Sequence, residues 1–156
     1  MLDRYYYDSP IGILEITGSE EGISGVRFVE KKLDPDPVIP SSLKNCYLQL
    51  YEYFVGSRKV FDLQLRFKGT NFQEKVWNYL AKIPYGKTLS YKEVAKAIEH
   101  EKAVRAVGSA NGRNNIAIII PCHRVIAHDG TLGGYGGGLW RKKWLLEHEK
   151  KHRKLP

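Results

Sequence analysis

The stretch Ile118-Ile119-Ile120-Pro121-Cys122-His123-Arg124-Val125 places a cysteine and a histidine side by side, directly after an apolar run. A short apolar run ended by proline is typical of a buried strand, because proline cannot donate to a sheet ladder. A strand over residues 118–120 would deliver Cys122 at the end of a rigid element. A cysteine nucleophile needs a base or a positive charge beside it, since the thiolate is the reactive form. His123 and Arg124 are both candidates; the competing interpretation is an inert buried thiol beside a surface histidine.

The composition indicates a soluble globular protein without metal or membrane. With 156 residues, 42% of them hydrophobic, the chain can bury a core as one domain or two small ones. The amino terminus carries charge at Asp3 and Arg4 and leads into no long apolar stretch, so we expect a cytoplasmic protein. The two cysteines, Cys46 and Cys122, are too few for a disulfide framework, and no run has zinc-ligand spacing.

The net charge of +8 is unevenly distributed along the chain. Residues 1–68 contain nine lysines and arginines against ten acidic residues, whereas residues 69–156 contain sixteen against seven. The excess of +9 is therefore confined to the part that holds Cys122. This distribution favours contact with a polyanion, foremost nucleic acid, over a basic surface that only meets solvent.

Residues 1–68 are predicted to form a β-rich domain. Turn residues separate three short runs of aromatic and β-branched residues, at 5–7, 13–17 and 23–29, which predicts an antiparallel meander. A proline-rich loop is expected over 34–40, followed by a helix over 41–55. The alternating residues 61–67 predict a further strand or an extended crossover.

Residues 69–156 are predicted to be mostly helical. Thr70 with Gln73, and Ser90 with Glu93, have capping-box spacing, and each pair precedes a helical apolar pattern. A third helix is expected over 103–111. Two short helices joined by a tight turn in a basic region favour a helix-turn-helix.

The third helix has little side-chain bulk around its one long cation. Ala106, Gly108 and Ser109 follow Arg105, so this helix can approach either its own core or a nucleic-acid groove closely. Arg105 could enter a base stack, contact a phosphate or form a surface salt bridge. The residues alone leave these alternatives open.

A glycine-rich run, Gly133-Gly134-Tyr135-Gly136-Gly137-Gly138, follows the turn signal Asp129-Gly130. It lacks the spacing of a phosphate-binding loop, so we interpret it as a loop for close approach, with Tyr135 as a wall. A closing helix is predicted over 139–149, and the basic tail 150–154 is expected to be mobile.

Three motifs resemble those of the O6-alkylguanine-DNA alkyltransferases, also called methylated-DNA–protein-cysteine methyltransferases, and they follow one another along the chain in the same order as in that family. Pro121-Cys122-His123-Arg124-Val125 resembles the active-site motif, Arg105-Ala106-Val107-Gly108 the recognition helix, and Gly134-Tyr135-Gly136-Gly137-Gly138-Leu139 the substrate loop. The resemblance covers roughly residues 70–149. It implies an α+β fold, with a ribonuclease-H-like β-sheet domain over 1–68 and a helical DNA-binding and alkyl-acceptor domain over 69–156.

The resemblance also implies the activity, which is direct reversal of DNA damage (EC 2.1.1.63). The protein would bind double-stranded DNA through the minor groove, flip out an O6-alkylguanine nucleotide and transfer its alkyl group irreversibly to Cys122. It would act once per chain, as a monomer and without a cofactor.

The family pattern implies four catalytic residues and a hinge. Cys122 would be the nucleophile and alkyl acceptor, and His123 its base through a bridging water. Glu149 would orient His123 and stabilise its cationic form, while Tyr91 would donate to guanine N3. Asn114 would be the hinge between the recognition helix and the active-site segment.

The pattern further implies the DNA contacts and the substrate pocket. Arg105 would fill the gap left by the flipped nucleotide. The other DNA contacts would be Tyr91, Ala106, Gly108, Ser109 and Arg124. Val125, Tyr135 and Gly136 would line the pocket, with the carbonyls of Cys122 and Val125 facing the guanine amine.

Two other functions are compatible with parts of the sequence. A cysteine hydrolase could use Cys122 and His123, but it would leave the basic region and Arg105 unexplained. A non-catalytic alkylated-DNA sensor or a helix-turn-helix regulator would bind DNA without a nucleophile, and the presence of Cys122 argues against it. One position departs from many relatives, which carry proline where this chain has Asn115.

Overall fold

The computed structural model describes residues 2–33 and 38–153. The chain divides between Phe67 and Lys68 into two compact units. Within the described ranges, no helix combines the length and the apolar composition needed to cross a lipid bilayer. Most of the loop predicted over 34–40 lies outside the described residues, because 34–37 are not among them.

The N-terminal unit contains a three-stranded antiparallel sheet in the order β1-β2-β3. Its strands are β1 (Asp3–Ser9), β2 (Gly12–Ser19) and β3 (Gly22–Val29). Gly12 and Gly22 open the second and third strands with φ angles of 118° and 142°, a region in which glycine carries no side-chain penalty. The predicted meander is confirmed.

One helix follows the sheet in this unit. Helix α1 (Lys44–Phe54) is preceded by a 3-10 turn, Ser41–Leu43, so the prediction of a helix over 41–55 is confirmed. Residues 61–67 are extended and form a single parallel bridge, between Leu65 and Ile23. Of the two alternatives, the extended crossover is the one observed.

The C-terminal unit is helical, with one pair of two-residue parallel strands. Its elements are α2 (Asn71–Leu80), β4 (Leu89–Ser90), α3 (Tyr91–Ala97), α4 (Val104–Gly112), β5 (Val125–Ile126) and α5 (Leu139–His152). Strand β4 pairs with β5, which brings the start of α3 to the segment that follows Cys122.

Both predicted capping boxes are present. The Thr70 hydroxyl accepts from the Gln73 amide, while the Gln73 side chain accepts from the Thr70 amide. Ser90 and Glu93 form the same reciprocal pair at the start of α3. Helices α3 and α4 contact each other across a short connection, in agreement with the predicted helix-turn-helix.

The prediction of a strand over 118–120 is wrong. This segment forms turns, and Ile118 has a φ of 73°. The Asn114 side chain holds the segment, because Nδ2 donates to the Ile120 carbonyl at 2.8 Å and Oδ1 accepts from the Ile116 amide at 2.9 Å. The isoleucines are buried, so the apolar run correctly indicated burial but not an extended backbone.

The expectation of a mobile tail from residue 150 is also wrong for its first residues. Helix α5 continues to His152 and so includes Lys150 and Lys151. Cations are favourable in the last turn of a helix, where the carbonyl ends carry partial negative charge. Lys154 lies outside the described residues.

Candidate active site

Cys122 begins a 3-10 turn, Cys122–Arg124, directly after Pro121. The turn frees neighbouring side chains from the opposite-face alternation of a strand, and the expectation that the chain must turn here is confirmed. The Cys122 backbone is fixed, because its amide donates to the Ile120 carbonyl at 2.8 Å and its carbonyl accepts from the Val125 amide.

The thiol of Cys122 is buried, and burial raises its pKa above the ordinary value. A hydrogen bond from the Asn114 side chain and the positive charge of Lys142 lower the pKa in the opposite direction. Burial dominates, so the thiol is protonated at rest and needs a base before it can attack.

His123 and Glu149 form a buried pair that can supply that base. His123 Nε2 lies 2.6 Å from Glu149 Oε2. Burial lowers the pKa of His123 although the Glu149 carboxylate opposes this shift, so the imidazole is neutral at pH 7. Nε2 then donates its proton to Glu149, and Nδ1 carries the lone pair that can accept one.

Arg124 is committed to the same carboxylate. Its Nε and Nη2 donate to the two oxygens of Glu149 at 2.8 and 3.0 Å, and Nη1 donates to the Ile83 carbonyl at 2.6 Å. The prediction that Arg124 contacts DNA is wrong, since its side chain is 6% exposed and all three nitrogens are engaged. Burial raises the pKa of Glu149, but His123 and Arg124 outweigh it and hold that pKa well below the ordinary value.

Lys142 lies in the site and was missed by the sequence reasoning. It is fully buried in α5, and its Nζ donates to the Val125 carbonyl at 2.7 Å and to the Gly134 carbonyl at 3.1 Å. Burial lowers the pKa of Lys142 to about 8. The signal was available, because Lys142 and Glu149 lie seven residues apart and thus on one face of a helix.

Tyr91 lies at the start of α3 and faces the glycine-rich loop, residues 133–138. Its hydroxyl is hydrogen-bonded to the Gly134 backbone. A Cβ at Gly133, where φ is 72°, would lie only 2.9 Å from the Tyr91 hydroxyl, so glycine is required there. Burial raises the pKa of Tyr91, with a further contribution from Cys122, so the phenol keeps its proton near the thiol.

The loop also brings Tyr135 to the thiol. Burial raises the pKa of Tyr135 well above the ordinary value, and Cys122 adds to that shift. Gly136 is exposed, and a Cβ there would meet no atom within 4 Å. Val125 is fully buried, with its carbonyl bonded to Lys142.

Helix α4 presents the remaining predicted DNA contacts on one face. Arg105, Ala106 and Ser109 are exposed, while Gly108 is half-buried close to the Tyr91 ring. Within residues 2–33 and 38–153, no hydrogen bond or ion pair engages Arg105. The small residues leave the long cation projecting from an otherwise low surface.

The comparisons with known proteins agree with this geometry. A family model described as "6-O-methylguanine DNA methyltransferase, DNA binding domain" matches residues 71–151, and one described as the "ribonuclease-like domain" of the same proteins matches residues 3–67. The methylated-DNA–protein-cysteine methyltransferase of Mycolicibacterium paratuberculosis is 44% identical over 97% of this chain and 94% of its own length. Its counterpart in Methanosarcina acetivorans is 48% identical over 93% of this chain and 97% of its own.

Solved structures give the same result. The crystal structure of Mycobacterium tuberculosis O6-methylguanine methyltransferase has a TM-score of 0.90 at 44% identity, covering 100% of this chain and 97% of that one. Mycobacterium tuberculosis OGT in complex with DNA has a TM-score of 0.88 at 46% identity, covering 96% and 93%.

A ribonuclease-like unit, followed in the chain by a helix-turn-helix unit with a buried cysteine, histidine and glutamate, defines a class of DNA-binding methyltransferases. The chain belongs to the 6-O-methylguanine DNA methyltransferase family. The predicted family and the mixed α+β fold are confirmed.

Proposed function

We propose that this protein repairs double-stranded DNA by transferring the methyl group of O6-methylguanine to Cys122, the methylated-DNA–protein-cysteine S-methyltransferase activity. The observation that carries the proposal is the buried thiol of Cys122 beside His123, whose imidazole is bonded to Glu149 at 2.6 Å. This is the order of nucleophile, base and orienting carboxylate that activates a weak nucleophile.

The first step removes the thiol proton of Cys122. His123 is neutral and presents Nδ1, so it can take that proton through one bridging water. Glu149 then stabilises the imidazolium, and Arg124 holds the carboxylate in place through two hydrogen bonds. Lys142 adds a positive charge that favours the thiolate.

The second step is a displacement at the methyl carbon. The bond from Cys122 Sγ to carbon forms while the bond from carbon to guanine O6 breaks, and the electron pair passes into the guanine ring. Tyr91 donates a proton to guanine N3 as negative charge develops there. The Tyr91 phenolate is then reprotonated and His123 gives up the proton it took from the thiol, so one proton in total passes from Cys122 to guanine and the products are S-methylcysteine and guanine. The thioether has no route back to a thiol in this site, hence one reaction per chain.

The DNA-binding surface in this proposal is the exposed face of α4. Arg105, Ala106 and Ser109 would lie against the minor groove, with Gly108 allowing close approach. The unpaired Arg105 would fill the space that the flipped nucleotide leaves, offsetting part of the cost of unstacking. The match of residues 71–151 to a DNA-binding domain model supports this assignment.

The substrate pocket would be lined by Val125, Tyr135 and Gly136, with Asn114 as the hinge. The three hydrogen bonds that Asn114 makes to residues 116 and 120 support the hinge role, although the next residue is Asn115 and not proline. We further propose two functional domains, over 1–68 and 69–156, a monomer as the active form, and a reducing cytoplasm that keeps Cys122 a thiol.

Counting repaired guanines per protein chain tests the proposal. With excess duplex DNA containing O6-methylguanine, repair should stop at one guanine per chain. A Cys122→Ser variant should bind the duplex and repair none, whereas Cys46→Ser, at a buried cysteine of the other unit, should retain repair. Continued turnover would favour a hydrolytic enzyme, and binding without repair by the unchanged protein would favour a sensor.

A further inference from the structure

Three buried polar atoms near Cys122 have no hydrogen-bond partner in the described part of the chain: Asn111 Oδ1, His123 Nδ1 and the Tyr135 hydroxyl. Asn111 is 4% exposed and His123 is fully buried. Buried polar atoms in native proteins are paired, and an internal water is the usual partner where side chains supply none. Each of these atoms therefore lacks the small polar partner, such as an internal water, that a buried polar atom normally has.

The amide orientation of Asn111 follows from its second contact. Asn111 lies in the last turn of α4, and its Nδ2 donates to the Cys122 carbonyl at 3.3 Å. A carbonyl oxygen can only accept, so the NH₂ end faces Cys122 and the oxygen end remains an acceptor. His123 Nδ1 is an acceptor as well, because Nε2 donates to Glu149.

We propose that Asn111 is a positioning residue for the proton transfer from Cys122: its Oδ1 and His123 Nδ1 together hold one water whose lone pair faces the thiol. The inference rests on the proposed function and adds a third partner to the relay. A water has two hydrogens, and two acceptors bind both of them. What remains to face the thiol is a lone pair, which is the group that must receive the S–H proton.

The proton balance of this step is complete. The S–H bond of Cys122 breaks and its proton passes to the water oxygen, while the hydrogen that the water shares with His123 passes to Nδ1. Water is regenerated, and the thiolate is balanced by the imidazolium. Without Asn111 Oδ1, the water could turn a hydrogen toward the sulfur and would then be unable to accept.

Other polar groups around Cys122 do not take this position. Lys142 of α5 is bonded to two carbonyls, Tyr91 of α3 to the Gly134 backbone, and Asn114 to residues 116 and 120 and to the Cys122 thiol itself. Arg124 and Glu149 are bonded to each other. The Tyr135 hydroxyl is also buried without a partner, but it can donate as well as accept and so does not need a hydrogen of the water, whereas Asn111 Oδ1 and the lone pair of His123 Nδ1 can only accept.

The pH dependence of single-turnover methyl transfer from an O6-methylguanine duplex tests the inference. Asn111→Leu keeps the side-chain size and removes both polar atoms. It should lower the rate at pH 7 about tenfold, a fraction of what a general base contributes, and shift the rise of the rate to higher pH, where hydroxide removes the thiol proton directly. Gly112→Ala, where a Cβ meets nothing within 4 Å, is the matched control and should leave the profile unchanged.

A slowing by the same factor at every pH, with the profile unshifted, would mean that Asn111 only supports the backbone and would overturn the inference. A high-resolution crystal structure of the unchanged protein gives a second test, independent of variant folding. An ordered water within hydrogen-bonding distance of both Asn111 Oδ1 and His123 Nδ1 is expected; a protein group on either atom contradicts it. If the unchanged protein transfers no methyl group, the proposed function fails and the crystal structure alone decides the water site.

Discussion

Glu149 shows how one buried carboxylate can serve two neighbours. Its oxygens accept from His123, from the Gly86 amide and twice from Arg124. Removing the Glu149 carboxylate and the Arg124 guanidinium from water costs free energy. Charge-assisted hydrogen bonds offset this cost only when every lone pair of the carboxylate accepts a hydrogen bond, which is the case here. The carboxylate therefore contributes to stability as well as to the orientation of His123.

Replacing Glu149 by Gln should destabilise the fold by about 3–5 kcal/mol at pH 7, because the buried Arg124 guanidinium loses its counter-charge. The pKa of Glu149 is held below that of an exposed glutamate, about 4.3, so its ionised form stabilises the folded state above that pH. This stabilisation is lost as the pH falls. The difference between the two proteins should shrink below about pH 4, measured by urea unfolding at a series of pH values.

Glu147 provides the matched control for that experiment. It is exposed on the same helix, α5, so Glu147→Gln should change the free energy of unfolding by no more than about 0.5 kcal/mol. A Glu149→Gln protein as stable as this control at neutral pH would show that the carboxylate does not carry the buried charge network.

Single residues also show what sequence reasoning can and cannot find. The family resemblance pointed to Cys122, His123 and Glu149, and the structure places His123, which lies in the same turn as Cys122, 2.6 Å from Glu149. It misjudged Arg124, because a charged residue next to a DNA-binding motif is easily taken for a surface residue. Lys142 escaped notice because a lysine on a helix is exposed in most proteins, and only its spacing to Glu149 suggested burial.

At the scale of elements, helix α4 connects the proposed DNA-binding face with the backbone of Cys122. Arg105 lies on the exposed face of the first turn of α4. Asn111 lies in the last turn, where its side chain donates to the Cys122 carbonyl. The Trp77 indole donates to the Ala110 carbonyl at 2.8 Å, which fixes the end of α4 that carries Asn111.

Replacing Arg105 by Ala should slow methyl transfer from duplex DNA far more than reaction with free O6-benzylguanine. In its proposed role the arginine acts on the flipped state of the nucleotide, whose unstacking costs a few kcal/mol, and a free base requires no flipping. A loss of about tenfold or more is expected on the duplex alone, measured as single-turnover rates.

The variant Arg113→Ala distinguishes this role of Arg105 from a general effect of positive charge on DNA binding. Arg113 is an exposed cation at the end of the same helix, so its removal takes away equal charge without the projecting position. Equal losses on duplex and free base in Arg105→Ala, or equal effects of the two variants, would contradict the role proposed for Arg105.

Elements with a local chemical signature could be predicted, and those set by distant contacts could not. The capping boxes at Thr70 and Ser90 are reciprocal bonds between residues three apart, so the sequence contains all of their information. The pairing of β4 with β5 joins two-residue strands more than thirty residues apart, too short for any periodic signal. The turns over 118–120 depend on a hydrogen bond from the Asn114 side chain to the Ile120 carbonyl, and a hydrophobic pattern contains no information about such a bond.

At the scale of the whole molecule, the two parts of the chain differ in net charge. Residues 1–68 carry −1 and residues 69–156 carry +9, and the second range contains the match to a DNA-binding domain. A surface of this charge binds DNA largely through phosphate contacts that release counterions.

Affinity for undamaged duplex DNA should therefore fall steeply with salt. If two to four phosphates are neutralised, the association constant should fall by about 10- to 150-fold between 50 and 200 mM salt. Fluorescence anisotropy with a labelled duplex measures the slope. Binding that does not respond to salt would show that the basic range does not meet the DNA backbone.

Mass spectrometry tests most directly whether the methyl group is transferred to one sulfur, that of Cys122. After incubation with duplex DNA containing O6-methylguanine, the intact protein should gain the mass of one methyl group, and peptide mapping should place it on Cys122. Repaired DNA with an unmodified Cys122, or a methyl group on any other residue, would contradict the account.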